Sequence, residues 1–231
     1  MTETVSEEFI KCVNGGLLHA NRLLSERFDN PPSVYNHLYY HDSQHSREVM
    51  EKTSKILQII SESTGQLTKR HELLARLAAA CHDLNQDWRP EQRLIGKLTA
   101  TSRTRVSGVI EYKSFLEADQ FMIDSNMISG NDLFSQDDRL LVKECILATV
   151  PEFDLVTGTV IQPNISPTST LAAQAVALAD LGVAGMDGPQ LFLRDTDALF
   201  LEENIDFLEA LIDPSILNSA TKDFLRERFL G

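Results

Sequence analysis

The run Leu73-Leu74-Ala75-Arg76-Leu77-Ala78-Ala79-Ala80-Cys81-His82-Asp83 is apolar almost all round until its last two residues. A helix without a polar face belongs in the middle of others, so residues 69 to 83 are expected to form a central, buried helix. An imidazole and a carboxylate at the end of such a helix cost desolvation unless something compensates. A metal ion compensates both at once. The plainer alternative is that Asp83 faces solvent where the helix ends, with Asp87 beside it.

Upstream lies a second concentration of the same chemistry, Tyr40-His41-Asp42-Ser43-Gln44-His45. Asp42 or Ser43 suits the N-cap of a helix whose buried stripe is Val49, Ile56, Leu57 and Ile60, with His45 in its first turn. Alone, His41-x3-His45 is a weak signal, because an isolated histidine pair is more often structural. Downstream, Ala175-Val176-Ala177-Leu178-Ala179 delivers Asp180, and a carboxylate at the end of that run also wants a cation.

Around these segments the pattern is helical. Apolar positions Phe9, Val13, Leu17, Leu18 and Leu24 predict a helix over 5 to 28, closed by Asn30-Pro31-Pro32. Residues 33 to 41, with Tyr35, His37, Tyr39 and Tyr40, form an aromatic approach to the next helix, which breaks at Ser63-Thr64-Gly65. Further helices are expected over 105 to 124, 136 to 149, 169 to 182, 198 to 212 and 214 to 229. Pro90 and Gly96 punctuate the segment after the central helix, and residues 150 to 167 read as the longest loop, a lid or binding loop. Strand signals are nearly absent, with Leu155 to Ile161 the one weak candidate. The expectation is an all-α protein of one domain, residues 1 to 231.

Bulk properties narrow the function. A hydrophobic content of 42% and 231 residues suffice for a substantial core. A net charge of −13 argues against a nucleic-acid surface and against docking on anionic lipid. Cys12, Cys81 and Cys145 are scattered among apolar neighbours, which suits a reducing cytosol. The acidic Met1-Thr2-Glu3-Thr4 start gives no expectation of a signal peptide, and no apolar run is long enough to span a membrane. Between Trp88 and Arg105, five basic residues (Arg89, Arg93, Lys97, Arg103, Arg105) face one acid, Glu91. They read first as a solvated helical face, and alternatively as a draw for an anionic substrate. Asp87 and Glu91 are candidates for a general base near a metal; Trp88 is expected to pack.

In order, Tyr40-His41-x3-His45-x3-Val49, Leu77-Ala78-Ala79-Ala80-Cys81-His82-Asp83 and Ala179-Asp180-Leu181 resemble the successive motifs of the HD-domain metal-dependent phosphohydrolases. The Tyr-His-x3-His element, Ile146-Leu147-Ala148-Thr149 and Ala179-Asp180-Leu181 are most similar to the cyclic-nucleotide phosphodiesterases of that superfamily. The resemblance covers about residues 39 to 185, with 186 to 231 as C-terminal helices packed on that core, and it implies an HD-like helical bundle. It implies that His45, His82, Asp83 and Asp180 hold a divalent metal ion, with Asp83 able to bridge a second. His41 corresponds to the histidine that protonates the leaving oxygen while water activated on the metal attacks phosphorus in line.

The departures refine this. All six histidines lie at or before position 82, whereas two-metal members commonly use further histidines downstream. One ion per chain is therefore expected, among Mn, Mg, Fe, Co, Ni or Zn, and di-iron oxygenase chemistry is disfavoured. After Thr149 the chain reads Val150-Pro151-Glu152-Phe153-Asp154, so cyclic-nucleotide specificity is not inherited. The expectation is a cytoplasmic phosphohydrolase for a small, nucleotide-like phosphorylated substrate, with self-association left open. The alternative is a non-catalytic HD-fold module binding a metal, nucleotide or protein partner.

Overall fold

The computed structural model describes residues 5–31, 36–95 and 98–213, with 215, 222, 223 and 226 beyond them. Helix α3 (Lys69–Cys81) is the axis around which α1 (Glu7–Leu24), α2 (Ser43–Thr64), α4 (Val109–Ser129), α5 (Gln136–Leu147) and α6 (Leu171–Met186) pack. Leu73, Leu74, Ala75 and Leu77 through Cys81 are all buried. The missing polar face of this sequence is thus the reason it is surrounded, and the all-α class is observed.

Side chains define where the helices start. Ser6, Asp42, Thr68, Ser135 and Thr170 each accept a hydrogen bond from a first-turn amide of the helix they open. Asp42, and not Ser43, caps α2. Gly65 ends α2 in the left-handed conformation, φ 63°. The approach of α1 to α3 depends on Gly16, where a Cβ would stand 2.7 Å from Phe121 Cε1 and 2.8 Å from Leu77 Cδ1. A π-helical turn, Ser25–Asp29, follows α1, and Asp29 receives the Ser43 amide at 3.0 Å and its hydroxyl at 2.7 Å. The N-terminus of α2 is thereby held to the end of α1.

Of two hairpins, the first departs from the expectation that strands are nearly absent, and the second includes part of the weak candidate Leu155 to Ile161. Strands β1 (Trp88–Ile95) and β2 (Leu98–Arg105) pair antiparallel with Trp88 opposite Arg105 and Pro90 opposite Arg103. The basic segment is therefore a β-ribbon and not a helical face. Pro90 is tolerated because each strand of a two-stranded ribbon is an edge. The ribbon also moves the following helix, expected from 105, to Val109, after Gly108 turns the chain at φ 81°. Strands β3 (Glu152–Asp154) and β4 (Thr159–Ile161) form a second, short hairpin inside the expected loop.

At the C-terminal end, α7 (Pro189–Glu203) begins earlier than expected and stops at Asn204, before α8 (Ile205–Ile212). Both pack against β2. Residues 32–35, including Tyr35, and most of the expected final helix over 214 to 229 lie outside the described residues. Among the described residues no helix is long and apolar enough to cross a membrane. Cys12, Cys81 and Cys145 are free thiols, and the last two are buried.

Candidate metal centre

His82 caps α3 at its C-terminal end, and Asp83 follows in the turn. His82 Nδ1 lies 2.7 Å from the Ala79 carbonyl oxygen. A carbonyl only accepts, so Nδ1 carries a proton, and Nε2 is left to bind a cation or to carry a second proton. That Nε2 is 3.0 Å from Asp83 Oδ2, and both atoms are buried without a hydrogen-bond partner. A buried imidazole nitrogen and carboxylate oxygen this close need a positive charge between them, a proton on Nε2 or a cation.

Two other helices bring the rest of the cluster. The Asp42 cap fixes the first turn of α2 through the Gln44 and His45 amides, and the Ser46 hydroxyl ties that turn to the Ala80 carbonyl at the end of α3. His45 Nε2 then lies 3.5 Å from Asp83 Oδ2 and 3.2 Å from Asp180 Oδ1, the latter on α6. Asp180 Oδ1 is 3.4 Å from His82 Nε2. Atoms bound about 2.1 Å from one centre stand roughly 3.0 to 3.4 Å apart at right-angled or tetrahedral geometry. The four separations fall at that scale. His45, His82 and Asp83 offer atoms all within 4.8 Å of one another; Asp180 stands outside that mutual set but reaches both imidazoles. Two neutral imidazoles and two carboxylates sum to −2, a match for a divalent cation.

The electrostatics carry the same demand. Burial alone would lower the His82 pKa, yet the charges of Asp83 and Asp180 overcome it and raise it well above the ordinary imidazole value. Burial likewise opposes ionisation of Asp83 and Asp180, and the imidazoles overcome that, holding both below the usual carboxylate range. Gln86 Nε2 donates to Asp83 Oδ1 at 2.8 Å and fixes which oxygen turns inward.

Beside the cluster opens a cavity of about 350 Å³, walled by His41, His82, Asp83, Glu111, Arg105 and Asp180 among others. His41 is one turn before His45 and outside the cluster of four. Its Nδ1 donates to Glu202 Oε1 at 2.6 Å, and Glu202 Oε2 accepts from the Tyr40 and His41 amides at 3.0 Å each. Arg105 Nη1 lies 2.8 Å from His41 Nε2, and its guanidinium also pairs with Glu202 at 3.2 Å and Glu203 at 3.1 Å. Glu202 is 2% exposed. Burial would raise its pKa, but His41 and Arg105 bring it down to about 2.

Of the residues singled out from sequence, His45, His82, Asp83 and Asp180 come together and His41 joins them at the cavity. Asp87 does not: it is exposed, forms an ion pair with Lys113 and lines a different cavity with Trp88. Glu91 accepts from the Thr104 hydroxyl across the ribbon at 2.6 Å. Within the basic segment, Arg103 and Arg105 reach the cavity from β2, while Arg89 is exposed. Arg103 also lies over the Trp88 ring, 4.7 Å from its centroid. Glu202 was missed by the sequence reading, although Leu199-Phe200-Leu201 before it gives the signal used for His82-Asp83, charge following an apolar run.

Comparison with models of protein families, with curated proteins and with solved structures returned no match to this chain in any of the three. What the fold and the site define is a mostly helical protein with a buried His/Asp cluster that could hold a metal ion.

Proposed function

We propose that this chain is a metal-dependent phosphohydrolase of the HD type, acting on a small phosphorylated, nucleotide-like metabolite in the cytosol. The observation that carries the reading is the buried pair His82 Nε2 and Asp83 Oδ2, 3.0 Å apart and each without a hydrogen-bond partner. His45, His82, Asp83 and Asp180 would hold one divalent ion. When bound, such an ion supplies Lewis-acid polarisation of a phosphoryl oxygen and lowers the pKa of water.

The protein's own groups supply the rest. Glu202 holds the His41 ring through Nδ1, so that Nε2, once it has taken a proton from solvent, can hand it to a leaving oxygen. Arg105 Nη1 stands 2.5 Å from Nδ1 and 2.8 Å from Nε2 of that ring and, with Arg103, brings positive charge to the cavity. An anionic substrate drawing Arg105 onto its phosphate frees Nε2 for proton transfer.

A turnover screen tests this: phosphomonoesters, phosphodiesters and nucleoside triphosphates, each with Mn²⁺, Mg²⁺, Ni²⁺ and Co²⁺. Metal-dependent phosphate ester cleavage is expected in the wild type and lost in His82→Ala and Asp83→Ala. His41→Ala is expected to keep the ion while losing turnover. A bound ion with no turnover on any substrate would refute the enzyme and leave a binding module.

A further inference from the structure

A second, smaller cavity lies on the other side of His45. It measures about 120 Å³ and is lined by Tyr40, Asp42, His45, Glu48, Arg194 and Asp195 among others. His45 Nε2 points to Asp83 and Asp180, whereas its Nδ1 is buried with no hydrogen-bond partner. Asp195 on α7 is 4% exposed. Arg194 takes both of its contacts from one Asp195 oxygen, Oδ1, at 2.6 Å through Nε and 2.5 Å through Nη2. Asp195 Oδ2 is left buried and unpartnered. His45 and Asp195 thus line the same small cavity, and each has a buried polar atom without a partner.

We infer that Asp195 is the acceptor that orients His45, through a water bound in this cavity between His45 Nδ1 and Asp195 Oδ2. The inference rests on the metal-centre reading. An imidazole that gives its Nε2 lone pair to a cation carries its proton on Nδ1, and that proton needs an acceptor to fix the tautomer and the ring plane. His82 has a protein acceptor in the Ala79 carbonyl. His45 Nδ1 has none, and the cavity, which Asp42, Glu48, Arg194 and Asp195 help line, is large enough for water. Arg194 pairs with Asp195 Oδ1 and is itself held by Glu48 at 3.3 Å. The chain therefore adds α7 to the helices that build the centre, as a positioning element.

The test is Co²⁺ titration of the full chain, followed by the visible absorption of the bound ion. Wild type is expected to bind one Co²⁺. Asp195→Ala is expected to weaken binding by about ten- to a hundredfold, the usual effect of removing an outer partner of a ligating histidine. Asp195→Asn keeps an acceptor oxygen and is expected to restore most of the affinity and the wild-type spectrum. Wild type that binds no Co²⁺ overturns the metal centre itself. Wild type that binds while Asp195→Ala binds equally well overturns only the role of Asp195. Should Asp195→Ala fail to fold, a high-resolution structure of the Co²⁺-loaded wild type decides. Water within hydrogen-bonding distance of both His45 Nδ1 and Asp195 Oδ2 is expected, and a dry cavity or an Asp195 turned away refutes the inference.

Discussion

Replacing Glu202 by Ala should destabilise the protein by about 3 kcal/mol at neutral pH, and the loss should shrink in acid. Two routes give the magnitude. The carboxylate is buried and accepts from the Tyr40 amide, the His41 amide and the His41 ring. Leaving even two such donors without a partner costs roughly 2 to 6 kcal/mol, at about 1 to 3 kcal/mol per buried group. Independently, its pKa falls from 4.5 in the unfolded chain to about 2 in the fold, which at about 1.4 kcal/mol per unit is about 3 kcal/mol. A depressed carboxylate stabilises fully above its unfolded pKa, and the contribution disappears as pH falls through the folded value. By that linkage about 1 kcal/mol of it survives at pH 3. The assay is urea unfolding of wild type and Glu202→Ala at pH 7 and pH 3. A Tm shift of roughly 6 to 12 °C at pH 7 should accompany it. A variant within 1 kcal/mol of wild type at pH 7, or a deficit that does not shrink at pH 3, would refute the reasoning.

Three further outcomes follow from single sites. Gly16→Ala, which in an open helix would stabilise, should instead cost about 1 to 3 kcal/mol in urea unfolding, because its Cβ meets Phe121 and Leu77 inside 3.0 Å. Arg70→Met should cost about 3 kcal/mol in the same assay. It breaks the two-pronged pair with the buried Asp138 (2.7 and 2.5 Å) and the guanidinium contact over Phe9. Asp87→Asn should leave metal affinity and turnover unchanged, since that carboxylate faces solvent beside Lys113; a large loss would return Asp87 to the site.

The helical core was legible because burial writes itself into sequence. The run over 73 to 81, apolar but for Arg76, pointed to an axis, and the charges ending it pointed to compensation. The same argument reached Asp180, although α6 continues past it to Met186. The β1–β2 ribbon was not legible. Trp88-Arg89-Pro90-Glu91-Gln92-Arg93 carries neither alternation nor strand propensity, and its strands exist through pairing with each other. Glu202 and Asp195 were hidden for another reason. They act from α7, some 160 and 150 residues after the histidines they face, and nothing in a local window links them to His41 or His45. Asp87 is close to His82-Asp83 in sequence but is exposed to solvent after the turn that ends α3.

The claim on which the rest depends is that His45, His82, Asp83 and Asp180 share one cation. Elemental analysis after equilibration with Mn²⁺ and exhaustive dialysis addresses it directly. One ion per chain should remain in the wild type and essentially none in His82→Ala or Asp83→Ala, each variant being checked for wild-type helicity. A metal-free wild type, or variants that retain the ion as well as it does, would contradict the account.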